Sequence, residues 1–240
     1  MWTADVRFGD LYDIREFITP NNLAVRRLTE QLIRGKETEA EKALACWKWV
    51  VEEIDYPLDD RGRNSDACVL LSGYTGAGAD NIGAIARAIK RNGLAGFKVR
   101  LGQTDFWQMP AEVLGWRNTE GRLMADCEGS SVALASMLRY FTDDVYAHLG
   151  TVESYGHCWV EWRGLTLETT LDRLPGNGNI TEVIRGQSPH NYRSDARFND
   201  HVLEGDLSRF EGFHVGALPG VERCWGVRSK ISRMRGIAVC

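Results

Sequence analysis

The stretch Ala125-Asp126-Cys127-Glu128-Gly129-Ser130-Ser131, with the apolar run behind it, constrains this chain of 240 residues more than any other segment. Val132, Leu134, Ala135, Leu138 and Phe141 recur at helical spacing, which predicts a buried helix over residues 128–141. Asp126 suits the N-cap, and Glu128 adds a negative charge to the first turn. Cys127 then lies where unpaired backbone N–H groups and the positive end of the helix dipole favour an anion. A thiol so placed is expected to lose its proton more easily, and the thiolate is the nucleophilic form. The alternative is a buried structural cysteine, and the residues downstream decide between the two.

On the N-terminal side, residues 1–18 carry no clear pattern and read as irregular. Thr19-Pro20 opens a first helix with Leu23, Val25, Leu28, Leu32 and Ile33 on its apolar face and Gly35 as its stop. A second helix follows, in which Thr38 and Glu41 fit a capping box and Ala43, Leu44, Trp47, Val50, Val51 and Ile54 share one side. Trp47 and Trp49 read as packing residues, and Tyr56-Pro57 ends the helix. Residues 58–81 are loop-like. Their cluster Gly73, Gly76 and Gly78 lacks the G-K-[ST] ending of a phosphate loop and the spacing of a dinucleotide fingerprint, so it reads as turn chemistry. Residues 81–92 have helical spacing, and Phe97, Val99 and Leu101 alternate as in a half-exposed strand. Pro110 starts a short helix, preceded by Trp107 and Gln108 in a loop.

Beyond the Cys127 helix, residues 145–152, 156–162 and 165–170 read as three strands, the last two joined by Arg163-Gly164 in a hairpin. Helices followed by strands make an α+β layout. Residues 185–201 are polar with little periodicity, and the basic last twenty residues read as a solvated face. The expected organisation is one domain over 1–240. It comprises a helical extension at 1–37, a core at 38–172 carrying an insertion at 58–105, and an extension at 173–240.

A net charge of −4 gives no reason to expect nucleic-acid binding, and no stretch approaches the roughly 20 apolar residues of a membrane span. The opening residues lack the layout of a signal peptide, so a cytoplasmic location is expected. The six cysteines (Cys46, Cys68, Cys127, Cys158, Cys224, Cys240) form no C-x-x-C pair and are expected to be reduced. A zinc site from Cys127, His157 and Cys158 is disfavoured because adjacent strand residues point to opposite faces.

A helix-start cysteine, a histidine on a following strand and a carboxylate on the next form an ordered set: Cys127, His157 and Glu168. In the predicted hairpin His157 and Glu168 are neighbours on one face. Facing the Cys127 helix, they would complete a nucleophile, a base and an orienter.

With these residues in view, the sequence resembles the transglutaminase-like members of the papain-like cysteine-protease superfamily. The resemblance rests on Asp126-Cys127-Glu128 before an apolar helix, Gly156-His157-Cys158-Trp159-Val160-Glu161, and Leu167-Glu168-Thr169-Thr170. The end of the second helix, Trp49-Val50-Val51-Glu52-Glu53-Ile54-Asp55-Tyr56, looks like the family's helix ahead of the core. Trp107-Gln108-Met109-Pro110-Ala111-Glu112-Val113-Leu114 is similar to the W-x-x-P-x-E-x-L segment of bacterial transglutaminase-like cysteine peptidases. The match covers residues 38–172 in pieces. Ala125 replaces the usual glycine, and Glu168 stands where the family has aspartate, with Asp172 as the fallback carboxylate.

The resemblance implies a papain-like core and acyl transfer through a thioester on a protein or peptide amide. Cys127 would be the nucleophile, His157 the acid–base and Glu168 the orienter. The Cys127 N–H would bind the oxyanion, joined by Trp107 or Gln108. No metal or organic cofactor is implied. Water or an amine would resolve the thioester, and the sequence does not choose between hydrolysis and transamidation. The competing class is a structural or protein-binding module that keeps the fold without catalysis. Nucleotide binding through residues 73–83 is a third.

Overall fold

The computed structural model describes residues 2–7, 10–56, 107–115, 117, 121–171, 173–175, 178–186, 190–208, 210 and 213–215. Its first elements overturn the expectation of an irregular start and of a purely helical extension. Strands β1 (Trp2–Arg7) and β2 (Asp10–Asp13) pair antiparallel. They left no local signature because β1 takes its other partner from the far end of the chain, β10 (Phe213–Val215). A 3-10 turn, Ile14–Phe17, leads inward and buries Ile14 and Phe17.

Helix α1 (Leu23–Leu32) begins later than Thr19-Pro20 because the Asn22 side chain accepts the Ala24 N–H and makes Asn22 the N-cap. In α2 (Glu39–Glu53) both arms of the expected capping box close, between Thr38 and Glu41. This helix buries Ala43, Cys46, Trp47, Val50 and Val51, and burial pushes the Cys46 thiol up to about 12. It runs into β3 (Ile54–Asp55), which pairs in parallel with β4 (Leu123–Met124). The expected glycine loop, helix and strand of residues 58–101 lie outside the described residues.

The short helix expected at Pro110 is α3 (Pro110–Gly115), whose first turn is closed by Glu112 Oε2 accepting the Met109 N–H at 2.7 Å. The Cys127 helix is α4 (Cys127–Arg139), buried from Cys127 through Leu138. Its last residue, Arg139, donates to Asp200 at 2.6 Å and to Asp143 at 2.8 Å.

After α4 come β5 (Val145–Val152), β6 (Tyr155–Trp162) and β7 (Leu165–Leu167), then α5 (Ile180–Arg185), β8 (Tyr192–Phe198) and β9 (Leu203–Gly205). They form an antiparallel sheet in the order β7-β6-β5-β8-β9. The β6–β7 hairpin turns through Arg163 and Gly164, both with positive φ (50° and 73°). Two expectations change here. The third strand stops at Leu167, so Glu168 and Thr169 lie beyond its end, and the polar stretch 185–201 holds a strand that completes the sheet.

Val145, Ala147 and Leu149 of β5 and Cys158, Val160 and Trp162 of β6 alternate onto the core face, against which α4 packs. His148, His157 and Trp159 leave on the other face, where the Trp159 indole stacks on His148 (5.3 Å) and His157 (6.3 Å). The class is α+β. No helix among the described residues is long and apolar enough to cross a membrane.

The register between β5 and β8 shifts at Leu149/Gly150, and a Cβ on Gly150 would run into the Arg193 carbonyl and come within 2.8 Å of the Trp159 ring. Gly150→Ala is therefore expected to destabilise the protein by about 1–3 kcal/mol through overpacking against backbone that cannot yield. The urea midpoint measures it, and an unchanged midpoint would show that β8 approaches less closely.

Candidate active site

The site assembles where the sheet's pairing stops. Strand β7 pairs with Val160, Glu161 and Trp162 only. The half of β6 that carries His157 therefore meets the unpaired residues Glu168, Thr169 and Thr170 along that edge. His157 and Glu168 are not directly opposed, as Val160 is already opposite Leu167. They meet diagonally on the same face, His157 Nε2 donating to Glu168 Oε2 at 2.8 Å. Both side chains are buried.

Every part of Glu168 is held. Tyr192 OH also donates to Oε2 at 2.8 Å, while the Thr170 N–H (2.9 Å) and hydroxyl (2.8 Å) donate to Oε1. From α2, the Trp47 indole donates to the Glu168 main-chain carbonyl at 2.7 Å. Trp47 is thus a support of the site as well as a packing residue. Burial pushes the Glu168 carboxyl up, but the hydrogen bond and charge of His157 and the two bonds from Thr170 outweigh it and hold the pKa at about 2. With an ionised acceptor at 2.8 Å, Nε2 carries the proton in either protonation state, which leaves Nδ1 as the nitrogen for acid–base work. Asp172, the fallback carboxylate, lies outside the described residues.

Cys127 stands at the first position of α4, as expected, with Asp126 as N-cap accepting the Gly129 N–H at 2.9 Å. The first turn of α4 is stitched to the residue after Glu168: Thr169 Oγ1 lies 2.9 Å from Ser130 Oγ and 3.1 Å from Ser131 Oγ. These contacts bring the start of α4 to the segment that carries Glu168. The sulfur, however, is fully buried and donates to Glu128 Oε2 at 3.1 Å. Burial pushes the thiol pKa well up, and the charges of Glu128 and Asp126 push it further, which corrects the expectation of an activated thiol.

Cys158, next to His157 in sequence, faces α4. Burial and the Glu128 charge raise its thiol pKa against a lowering hydrogen bond with Ser131. Alternation along β6 therefore sends the His157 ring to the side away from that interface.

Of the two residues expected to line an oxyanion site, Trp107 packs edge-on against Phe17 (5.1 Å), while Gln108 closes on α4. Gln108 is 1 % exposed, and among the described residues neither of its amide atoms has a hydrogen-bond partner. A Cβ on Gly129 would come within 2.9 Å of Gln108 Oε1, so the absence of a side chain there lets the amide lie against the first turn. A cavity of about 170 Å³ adjoins this region, lined by Ala125, Ser130, Thr169 and Thr170 on one side and Asp55, Tyr56 and Arg122 on the other. Among the described residues, no group of three or more His, Cys, Asp or Glu side chains is placed to hold a metal ion. Sequence reasoning missed Tyr192, Thr170 and the thiol–Glu128 contact, and only Glu128 had a local signal, its place in the first turn.

No family model, curated protein or solved structure matches this chain.

Two measurements follow from the charges. A Glu168 carboxyl depressed from 4.5 to about 2 contributes roughly 3 kcal/mol, in full above the unfolded value and lost as pH falls through about 2. Between about pH 6 and pH 2 the wild type should lose that much more stability than Glu168→Gln in urea unfolding. Parallel pH profiles would show that the carboxylate is not held as described. Removing the neighbouring charge with Glu128→Gln should speed iodoacetamide alkylation of Cys127 near pH 7, by about tenfold per pKa unit recovered. An equal or slower rate would mean that Glu128 does not hold the thiol protonated.

Proposed function

We propose that the protein is a thiol-dependent acyltransferase or amidase of transglutaminase-like type, acting on a peptide bond or a glutamine side-chain amide. The observation that carries this reading is the buried His157–Glu168 pair at 2.8 Å beside a helix whose first residue is Cys127. The resemblance seen in the sequence adds to it, because its motif positions supply the same three residues.

In this mechanism substrate binding brings Cys127 and His157 together, the Cys127 proton passes to His157 Nδ1 and the sulfur attacks the amide carbonyl carbon. The negative oxygen is met by the Cys127 backbone N–H and by the Gln108 amide, once Gln108 Nε2 turns toward it. His157 returns the proton to the leaving nitrogen, the C–N bond breaks and a thioester forms. The imidazole then takes a proton from water or an amine, which attacks the thioester and releases Cys127. Glu168 keeps the proton on Nε2 throughout and stabilises the imidazolium. Because the sulfur is sealed and bonded to Glu128, turnover requires the substrate to displace that contact, and productive binding and activation of the thiol are one event.

The sealed thiol also favours a second reading, in which the fold is kept as a non-catalytic scaffold. Incubation with a glutamine peptide, with and without added amine, separates the readings. The enzyme releases ammonia or cleaves the peptide, and Cys127→Ala abolishes both. His157→Ala should lower the rate by at least about 100-fold. Added amine incorporated into the product marks transamidation, whereas its exclusion marks hydrolysis. No turnover on peptide or glutamine amides, with Cys127 alkylated no faster than the buried Cys46, would sink the enzymatic reading.

A further inference from the structure

Glu168 is one methylene longer than aspartate and lies past the end of its strand, so the backbone ladder does not fix its carboxylate. The two donors on Oε1 come from Thr170, two residues along the same segment, and move with it. Oε2, the oxygen that holds the His157 ring, receives its second donor from a different strand. Tyr192 opens β8, two strands away from β6, and its hydroxyl reaches Oε2 at 2.8 Å. Its ring is seated by the Trp159 indole, centroids 5.0 Å apart, on the sheet face that carries His157.

We propose that Tyr192 is a positioning residue: its hydroxyl fixes Glu168 Oε2 against rotation and thereby holds the His157 imidazole in the tautomer with the proton on Nε2. The carboxylate is clamped from both sides, Thr170 on Oε1 and Tyr192 on Oε2, and the clamp does the work that a shorter side chain on a continuous strand would do alone. Burial, together with the charge of Glu168, pushes the Tyr192 phenol well above its ordinary value, so the hydroxyl stays a donor across the working pH range.

The kinetic part of the test rests on the acyl-transfer reading, whereas the spectroscopic part does not. In ¹⁵N-labelled protein, long-range ¹H–¹⁵N spectra report the His157 tautomer directly, with the resonances assigned by comparison with His157→Gln. The wild type should show a single Nε2–H form. Tyr192→Phe, which keeps the ring on Trp159, should show a mixture of tautomers. With a substrate amide, kcat should fall about 10- to 100-fold, the worth of one hydrogen bond to a charged group, with KM unchanged. In the Glu168→Gln background, Tyr192→Phe should cost nothing further, because the residue acts through Glu168.

An unchanged tautomer in folded Tyr192→Phe, or losses that add in the double variant, overturns the proposal. Should Tyr192→Phe fail to fold, 3-fluorotyrosine incorporation alters the phenol's donor strength without changing its shape. It must then shift the His157 ring nitrogens, and unmoved resonances overturn the proposal. If the wild type turns over no amide, the acyl-transfer reading falls while the tautomer measurement still decides the role of Tyr192.

Discussion

The ionised carboxylate of Glu168, taken out of water, is the constraint on which the arrangement of this protein depends. A buried charge without partners costs many kcal/mol, and the usual escape is for the group to take up a proton. Here it stays charged because four donors converge on its two oxygens and a fifth fixes its backbone. Those donors come from α2, β6, β8 and the segment after β7. One residue therefore ties together elements that reach it from as far as 121 residues away in sequence. Replacing one donor leaves an unmet charge, so the cost falls on the whole cluster and not on one bond.

The same accounting explains the state of Cys127. A helix N-terminus favours an anion by about 0.3–1 kcal/mol, and by up to about 2 in partly buried geometries. Two carboxylates close to a buried sulfur oppose a thiolate by several kcal/mol, even at an effective dielectric constant of about 20. Asp126 already occupies the anion-binding position as N-cap, and Glu128 accepts a hydrogen bond from the Cys127 thiol. The like-charge and burial effects win, and the Cys127 thiol rests protonated. The expectation from sequence named both carboxylates as features of the helix start but did not weigh their charges against the thiolate.

What the sequence made legible was local. The capping box of α2, the Asp126 cap and apolar run of α4, and the Arg163-Gly164 hairpin each write their geometry within a few residues. The Trp107–Leu114 segment does so too, since Glu112 closes on Met109. What escaped was stabilised by distant partners. Strands β1 and β2 depend on β10, which lies about 200 residues away. Strand β8 was hidden by its own irregularity. The shift that pairs Leu149 with Ala196 but Gly150 with Ser194 leaves an extra residue, Asp195, in the strand and interrupts the alternation by which strands are recognised. Tyr192 sits on that strand, so the partner of Glu168 could not be read from a stretch whose strand character was itself invisible. His157 and Glu168 were legible as neighbours on one face because a two-residue hairpin turn constrains where they meet, and the register makes that meeting a diagonal one.

The two halves of the candidate site are in different states of readiness. The imidazole and its acid are assembled, buried and over-determined by hydrogen bonds, whereas the sulfur is closed off and held by a neighbouring acid. In a triad with an exposed, ion-paired cysteine, substrate binding has only to orient an amide. On the acyl-transfer reading it would here also have to part Cys127 from Glu128. The early end of β7 thus releases Glu168 from the ladder, so that its side chain reaches diagonally back along β6 to His157.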